Sequence, residues 1–238
     1  MDEKIAKLRD MINQSGRIVF FGGAGVSTES GIPDFRSVDG LYSQHYKYPP
    51  ETILSGSFLR SHPEEFYEFY RAKLITDGVR PNRAHLRLAE LEAEGKLTAV
   101  ITQNIDGLHQ AAGSKNVYEL HGTIHRMYCS RCGKSAPESI LDSCTGVPRC
   151  ECGGVIRPDV VLYEEALNAK VIAGAIDHLR HCDMLIIGGT SLAVYPAAGL
   201  IDYYSGDKLV LINRDPTPQD KYANLVINEK LGEVFAQV

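Results

Sequence analysis

The chain has 238 residues, 44% hydrophobic and 23% charged, with a formal net charge of −5. That length supports one large domain, or one domain carrying a small insert, with a core that needs no disulfides. The acidic balance excludes a general basic face for nucleic acid, and no apolar run approaches the roughly 18 residues of a membrane span. The opening Met1-Asp2-Glu3-Lys4 leads into an amphipathic stretch rather than an apolar signal core, so a cytoplasmic protein is expected.

A first helix is predicted over 2–14, with Ile5, Leu8 and Ile12 on one face and Gly16 as its stop. Residues 17–21 read as a buried parallel strand running into Gly22-Gly23-Ala24-Gly25. Residues 37–80 hold few strand signals. They contain a helix start at Ser61-His62-Pro63-Glu64, whose Ser and Glu read as a capping box. Asn82 is placed to cap a helix over 83–94 that ends at Gly95. Apolar strands follow at 98–102, 184–187 and 209–212, with shorter ones at 117–120 and 225–227. Helices are predicted over 165–180 and from near Pro196. Strands alternating with helices predict an α/β fold, a Rossmann-like doubly wound parallel sheet. Residues 37–80 and 127–154 break the alternation. They are expected to form one smaller lobe, a helical insert and a zinc ribbon, leaving 1–36, 81–126 and 155–238 as the dinucleotide-binding domain.

Four of the six cysteines form two close pairs, Cys129/Cys132 and Cys150/Cys152. In a reducing compartment this spacing predicts a four-thiolate structural zinc site with no open position for catalysis. The second pair is one residue short of the usual C-x2-C, and Cys144 is an alternative ligand. A zinc ribbon can also signal a nucleic-acid module, but the charge balance argues against it. The lobe that the thiolates close is expected to be too small for a core of its own. Cys182 reads as a small buried hydrophobe.

The strand-to-glycine turn at 22–25 is the beginning of a phosphate-binding loop. A full dinucleotide fingerprint would place glycine at 28, where the chain has Thr28, so a plain tight turn is the alternative. The polar loop that follows ends in Phe35 and Arg36, and Arg36 suits a phosphate. After the 98–102 strand come Gln103-Asn104-Ile105-Asp106, two carboxamides and a carboxylate at the ligand-binding edge of a parallel sheet. His121 follows the next strand and is well placed for general base work. Thr190-Ser191 and Asn213 end two later strands on the same edge. His45, His62, His178 and His181 fall in loop or helix-surface contexts and read as structural.

Taken together, these residues resemble the sirtuins, the NAD-dependent protein deacylases, and most of all the bacterial branch. The likeness rests on Gly-Ala-Gly-Val-Ser at 23–27, Gly-Ile-Pro-Asp-Phe-Arg at 31–36, Thr-Gln-Asn-Ile-Asp-Gly-Leu-His at 102–109 and Glu-Leu-His-Gly at 119–122. Gly-Thr-Ser at 189–191, Ile-Asn at 212–213 and the paired cysteines complete it. The resemblance implies that Ala24, Thr28 and Arg36 hold the pyrophosphate and nearby ribose, while Phe35 covers the reacting carbon. It implies Gln103 and Asn104 on the nicotinamide ribose, and Ile105 and Asp106 on the nicotinamide carboxamide. Thr190, Ser191, Asn213 and the region of Leu231 would hold the adenosine half, with His121 as the catalytic base. The acetyl-lysine peptide would lie as an added strand against Val160, Val161 and Leu162.

The implied activity is NAD-dependent protein-lysine deacetylation, with NAD consumed as co-substrate. The acetyl group passes to ADP-ribose, and nicotinamide is product and inhibitor. An NAD-linked oxidoreductase, a mono-ADP-ribosyltransferase and a non-enzymatic zinc-ribbon protein are the rival readings. Where the family commonly has Phe-Gly-Glu, this chain has Tyr163-Glu164-Glu165. Sirtuins that prefer acidic acyl groups carry a Tyr-x-x-Arg pair. Here Tyr70 falls at the Arg position and Arg71 one residue beyond it, so uncharged acyl groups are expected.

Overall fold

The central strands are apolar at every position, yet successive side chains leave opposite faces, so each strand serves two cores. The computed structural model describes residues 1–35, 40, 46–75 and 78–238. In chain order its elements are α1 (Asp2–Asn13), β1 (Ile18–Gly22), α2 (Pro50–Ile53), α3 (Gly56–Ser61), α4 (Pro63–Lys73), α5 (Arg83–Ala93), β2 (Leu97–Thr102), α6 (Leu108–Ala111), β3 (Val117–Glu119), β4 (Gly122–Cys129), β5 (Ser135–Ala136), β6 (Ile156–Val160), α7 (Ala169–His181), β7 (Met184–Gly188), β8 (Leu209–Ile212), β9 (Leu225–Ile227) and α8 (Leu231–Phe235).

Six strands form one sheet in the order β3-β2-β1-β7-β8-β9, and every neighbouring pair is parallel. Ile18, Phe20, Ile186 and Val210 point to one face, where Leu8, Leu88 and Phe235 of α1, α5 and α8 cover them. Val19, Phe21, Ile187 and Leu211 point to the other, under Ala175 and Leu179 of α7 and Leu200 of the 3₁₀ turn Ala197–Tyr203. The strand order reverses between β1 and β7, which opens a crevice at the carboxyl ends of the strands.

The smaller lobe is a three-stranded antiparallel sheet, β5-β4-β6, packed against α2, α3 and α4. β4 and β6 carry the chain into and out of the cysteine loop. This lobe does have a core, contrary to expectation: Phe58, Phe66, Tyr70, Met127 and Ile156 are buried together. The helical insert supplies the apolar surface that the cysteine loop lacks.

Three local expectations are corrected. Ser61 and Glu64 form no capping box. Ser61 ends α3, its hydroxyl donates to the Ser57 carbonyl at 3.0 Å, and α4 begins without a side-chain cap. A capping box does form at Asn82 and His85. The helix expected from 165 begins at Ala169, because Asn168 caps it and Glu165 is held by Arg157. The segment after Pro196 is 3₁₀ rather than α. Among the described residues no helix is long and apolar enough to cross a membrane.

Candidate active site

Four strand-end turns meet at the crevice. The turn after β1 is laid against the turn after β7, backbone to backbone. Gly25 N donates to the Gly189 carbonyl at 2.8 Å. A Cβ on Gly25 would lie 2.8 Å from Gly189 Cα, and Gly189 itself has φ +60°, so both positions require glycine. The turn after β8 is tied to that after β7 by a reciprocal pair: Thr190 N donates to Asn213 Oδ1 at 3.0 Å, and Asn213 Nδ2 donates to the Thr190 carbonyl at 3.2 Å.

The turn after β2 joins the same cluster. Gln103 Nε2 donates to Thr190 Oγ1 at 3.1 Å. Buried Ser27 is the hub below it. Its hydroxyl donates to Asp106 Oδ2 at 2.6 Å and accepts from Asn104 Nδ2 at 3.0 Å. Asp106 Oδ1 accepts from Leu108 N at 3.0 Å, which fixes both carboxylate oxygens. The Ile105 side chain is half-buried against the smaller lobe, as is Phe35. Ala24 opens the 3₁₀ turn Ala24–Val26, and the Thr28 hydroxyl donates to the Gly25 carbonyl at 3.0 Å. Ser191 is exposed at the rim. The Leu231 side chain is committed to the core below the sheet. Arg36 and His45 lie outside the described residues. His62 stacks on Phe58, His178 meets Asn116 and His181 meets Asp177.

His121 sits between β3 and β4, and its Nδ1 lies 3.0 Å from the Gln103 carbonyl. A carbonyl only accepts, so Nδ1 carries the proton and Nε2 is the basic nitrogen. Burial lowers the pKa of the ring, against the pull of the Gln103 bond. The ring is thus neutral and able to accept a proton at neutral pH.

The four cysteine sulfurs lie within 4.8 Å of one another. Sγ of Cys129 and Cys152 are 3.4 Å apart, and those of Cys132 and Cys150 3.8 Å. Four Zn–S bonds of about 2.3 Å in a tetrahedron set sulfurs about 3.8 Å apart, so the donor set fits one zinc ion. The backbone N–H of Cys132, followed by that of Arg131, helps lower the pKa of Cys129 to about 6. The shortened second knuckle closes through Gly154, where a Cβ would lie 2.7 Å from Cys129 Sγ. Cys144 stands apart from this cluster. Its carbonyl accepts from Arg71 at 3.0 Å, and Arg71 also donates to the Gly146 carbonyl at 2.7 Å.

Val160 and Leu162 are buried in the smaller lobe, and Val161 N donates to the His121 carbonyl at 2.9 Å. That bond ties the segment after β6 to the backbone of His121, at the start of β4. Beyond it, Glu164 has φ +74°, and its carboxylate accepts from Ser57 N at 2.9 Å and Ser57 Oγ at 2.8 Å. The roles of Ser27 and of the buried pair His85 and His109 behind Asp106 are not readable in the sequence. The serine was visible inside the glycine motif, but its two partners come from 77 and 79 residues away.

Fold and site together define a nucleotide-binding α/β protein with a basic histidine in its crevice and a four-thiolate lobe beside it. The model of the Sir2 family matches residues 23–196. NAD-dependent protein deacetylases are similar over almost the whole chain. That of Clostridium acetobutylicum is 55% identical over 240 residues, 99% of this chain and 98% of that protein. That of Clostridium perfringens is 57% identical over 242 residues, covering 100% and 99%. A solved structure of Sir2 with a p53 peptide and NAD+ superposes with TM-score 0.88 at 42% identity, covering 98% of this chain and 96% of that one. Another, with an inhibitor, 2′-O-acetyl-ADP-ribose and a deacetylated p53 peptide, gives 0.87 at 40% identity over the same shares. The chain belongs to the Sir2 family.

Proposed function

We propose that the protein is an NAD-dependent protein-lysine deacetylase that passes the acetyl group of acetyl-lysine to ADP-ribose, releasing nicotinamide and 2′-O-acetyl-ADP-ribose. The observation that carries this reading is His121. Its Nδ1–H is committed to the Gln103 carbonyl, so its basic nitrogen stands beside the turn that would hold the nicotinamide ribose. The similarity to named deacetylases across the chain supports it.

In this reading NAD occupies the domain formed by 1–36, 81–126 and 155–238. The insert 37–80 and the module 127–154 close over it, with β4 and β6 as the shared stalk. Ala24, Thr28 and Arg36 take the pyrophosphate, and Phe35 covers the reacting carbon. Gln103 and Asn104 hold the nicotinamide ribose. Ile105 and Asp106 grip the carboxamide. Thr190, Ser191, Asn213 and the backbone near Leu231 take the adenosine half. The acetyl-lysine peptide lies along Val160, Val161 and Leu162. Loss of nicotinamide leaves an electron-poor sugar carbon that the acyl oxygen captures. His121 Nε2 then takes the proton of the ribose 2′-hydroxyl, so that its oxygen can attack the acyl carbon; water adds at that carbon, its bond to the lysine nitrogen breaks with the amine taking up a proton, and the acetyl group stays on the ribose. Cys129, Cys132, Cys150 and Cys152 hold one zinc ion, whose role is to fix the lobe. Six cysteines without a disulfide suit a reducing compartment, which supports a cytoplasmic location.

Arg71 is held by two carbonyls of the cysteine module, which supports preference for uncharged acyl groups over acidic ones. Mass spectrometry of a panel of acyl-lysine peptides incubated with NAD tests the proposal. Free lysine peptide with acetyl-ADP-ribose is expected. Formation of reduced nicotinamide would mean an oxidoreductase instead, and label from NAD retained on protein would mean ADP-ribosyltransfer.

A further inference from the structure

β4 pairs with β6 at Thr123–Asp159 and again at Met127–Pro158, so residues 124–126 bulge out of the ladder. The bulge sets Ile124 N on the Ile105 carbonyl at 3.0 Å and swings His125 under the turn that carries Asp106. The fit is close: a Cβ on Gly107 would lie 2.7 Å from the His125 ring. His125 Nε2 is 3.0 Å from the Asp106 carbonyl oxygen, and Nδ1 is 3.1 Å from Glu138 Oε2. A carbonyl and an ionised carboxylate both only accept. A neutral imidazole has a single N–H, so the two bonds coexist only when the ring is doubly protonated.

The charges around the ring favour that form. Glu138 faces it from the 3₁₀ turn Glu138–Leu141, and Glu119 from β3. Arg126 is occupied by Glu119 and by Asp159 of β6. The Asp106 carboxylate is occupied by Ser27 and Leu108 N. Partial burial opposes the charge, but the bonds to Asp106 and Glu138 outweigh it and raise the pKa of the ring.

We propose that His125, as an imidazolium, is a positioning residue that ties the Asp106 peptide to the smaller lobe through Glu138 and lets it go on deprotonation. The inference rests on the reading of Asp106 as the nicotinamide contact. The sign follows from the raised pKa: the tie is whole at low pH and is lost as pH rises through the folded value. Above it one N–H remains for two acceptors, and a ring lone pair faces one of them. Affinity for NAD should then fall roughly three- to ten-fold, the ordinary worth of one hydrogen bond.

The test is calorimetric NAD binding to the full, zinc-loaded chain from about pH 6 to about pH 9, a range that spans imidazole titration. The wild type should weaken in one step. His125→Gln keeps an amide donor but does not titrate, so its curve should be flat. Glu138→Gln should move the step to lower pH, and circular dichroism together with zinc content would report whether each variant is folded. Nitrogen-15 NMR of the His125 ring should show both nitrogens protonated at about pH 6, the acid end of that range. A His125→Gln curve that follows the wild type, or a ring with one protonated nitrogen at that pH, would overturn the inference alone. A wild type that fails to bind NAD at every pH would overturn the parent reading as well.

Discussion

Strands β1 and β7 are buried at all five of their positions, whereas β5 in the smaller lobe has two residues, neither of them buried. The larger lobe is held by apolar area on two continuous faces. The smaller lobe is held by a helical core on one side and by four converging sulfurs on the other. The first kind of support is spread over many side chains, and losing one weakens the whole lobe by a part. The second is concentrated, and removing one centre undoes a local region completely. The groups assigned to the reaction under the proposed function sit on turns at the strand ends of the first kind. The second kind sets the wall those turns face.

The largest expected effect leaves both lobes standing. His121→Ala should slow deacetylation by roughly 10²–10⁴-fold, with NAD affinity within a few-fold and cooperative unfolding retained. A variant that works near the parent rate would return His121 to a structural role. Next comes the sheet. Ile186 is fully buried in β7, and Ile186→Ala should cost about 2–5 kcal/mol in denaturant unfolding. Its loss should appear as one transition of the larger lobe.

Chelation should act on the other region. Hydrogen exchange over 127–154 should rise and activity should vanish until zinc is returned, while protection in β1 and β7 changes little. Fully active protein without zinc by metal analysis would break the contrast. The smallest effect is acid weakening of the larger lobe. His85 and His109 lie with ring centroids 4.7 Å apart, and neither ring nitrogen of His109 has a hydrogen-bond partner among the described residues. Burial brings the pKa of His85 down to about 4 against the pull of Asp106, and that of His109 well below its ordinary value. The unfolded chain takes up protons below about pH 6.5 that the folded chain refuses. Stability should therefore decline as pH falls from there towards the folded values. His109→Phe should flatten that decline, to be seen in melts across the acid range.

The parallel sheet was legible because each strand is a short apolar run ending in glycine or a polar turn, and such runs need little context. The zinc knuckles were legible from spacing alone. The site's residue types were legible as a set of strand ends. What could not be read were bonds between distant segments. Glu165 looks like the first turn of a helix until Arg157 is seen to hold it, and Ser61 looks like a cap until it is seen to be the last residue of α3. The two acceptors on His125 come from a turn after β2 and a turn after β5, so no local pattern could have shown them. The core of the smaller lobe was missed because half of it arrives from an insert far away in the chain.

The contact between Gly25 and Gly189 makes the turns after β1 and β7 a single mechanical part. Neither can be lifted without the other, since no side chain lies between them to give. Any library aimed at a different nucleotide would find this seam closed at both positions. A larger residue on one side has no smaller residue to gain on the other, so compensation by a second substitution is not available. On the proposed reading of the site, a change in nucleotide preference would enter from the rim, at exposed positions such as Thr28 and Ser191, while the seam itself stays as it is.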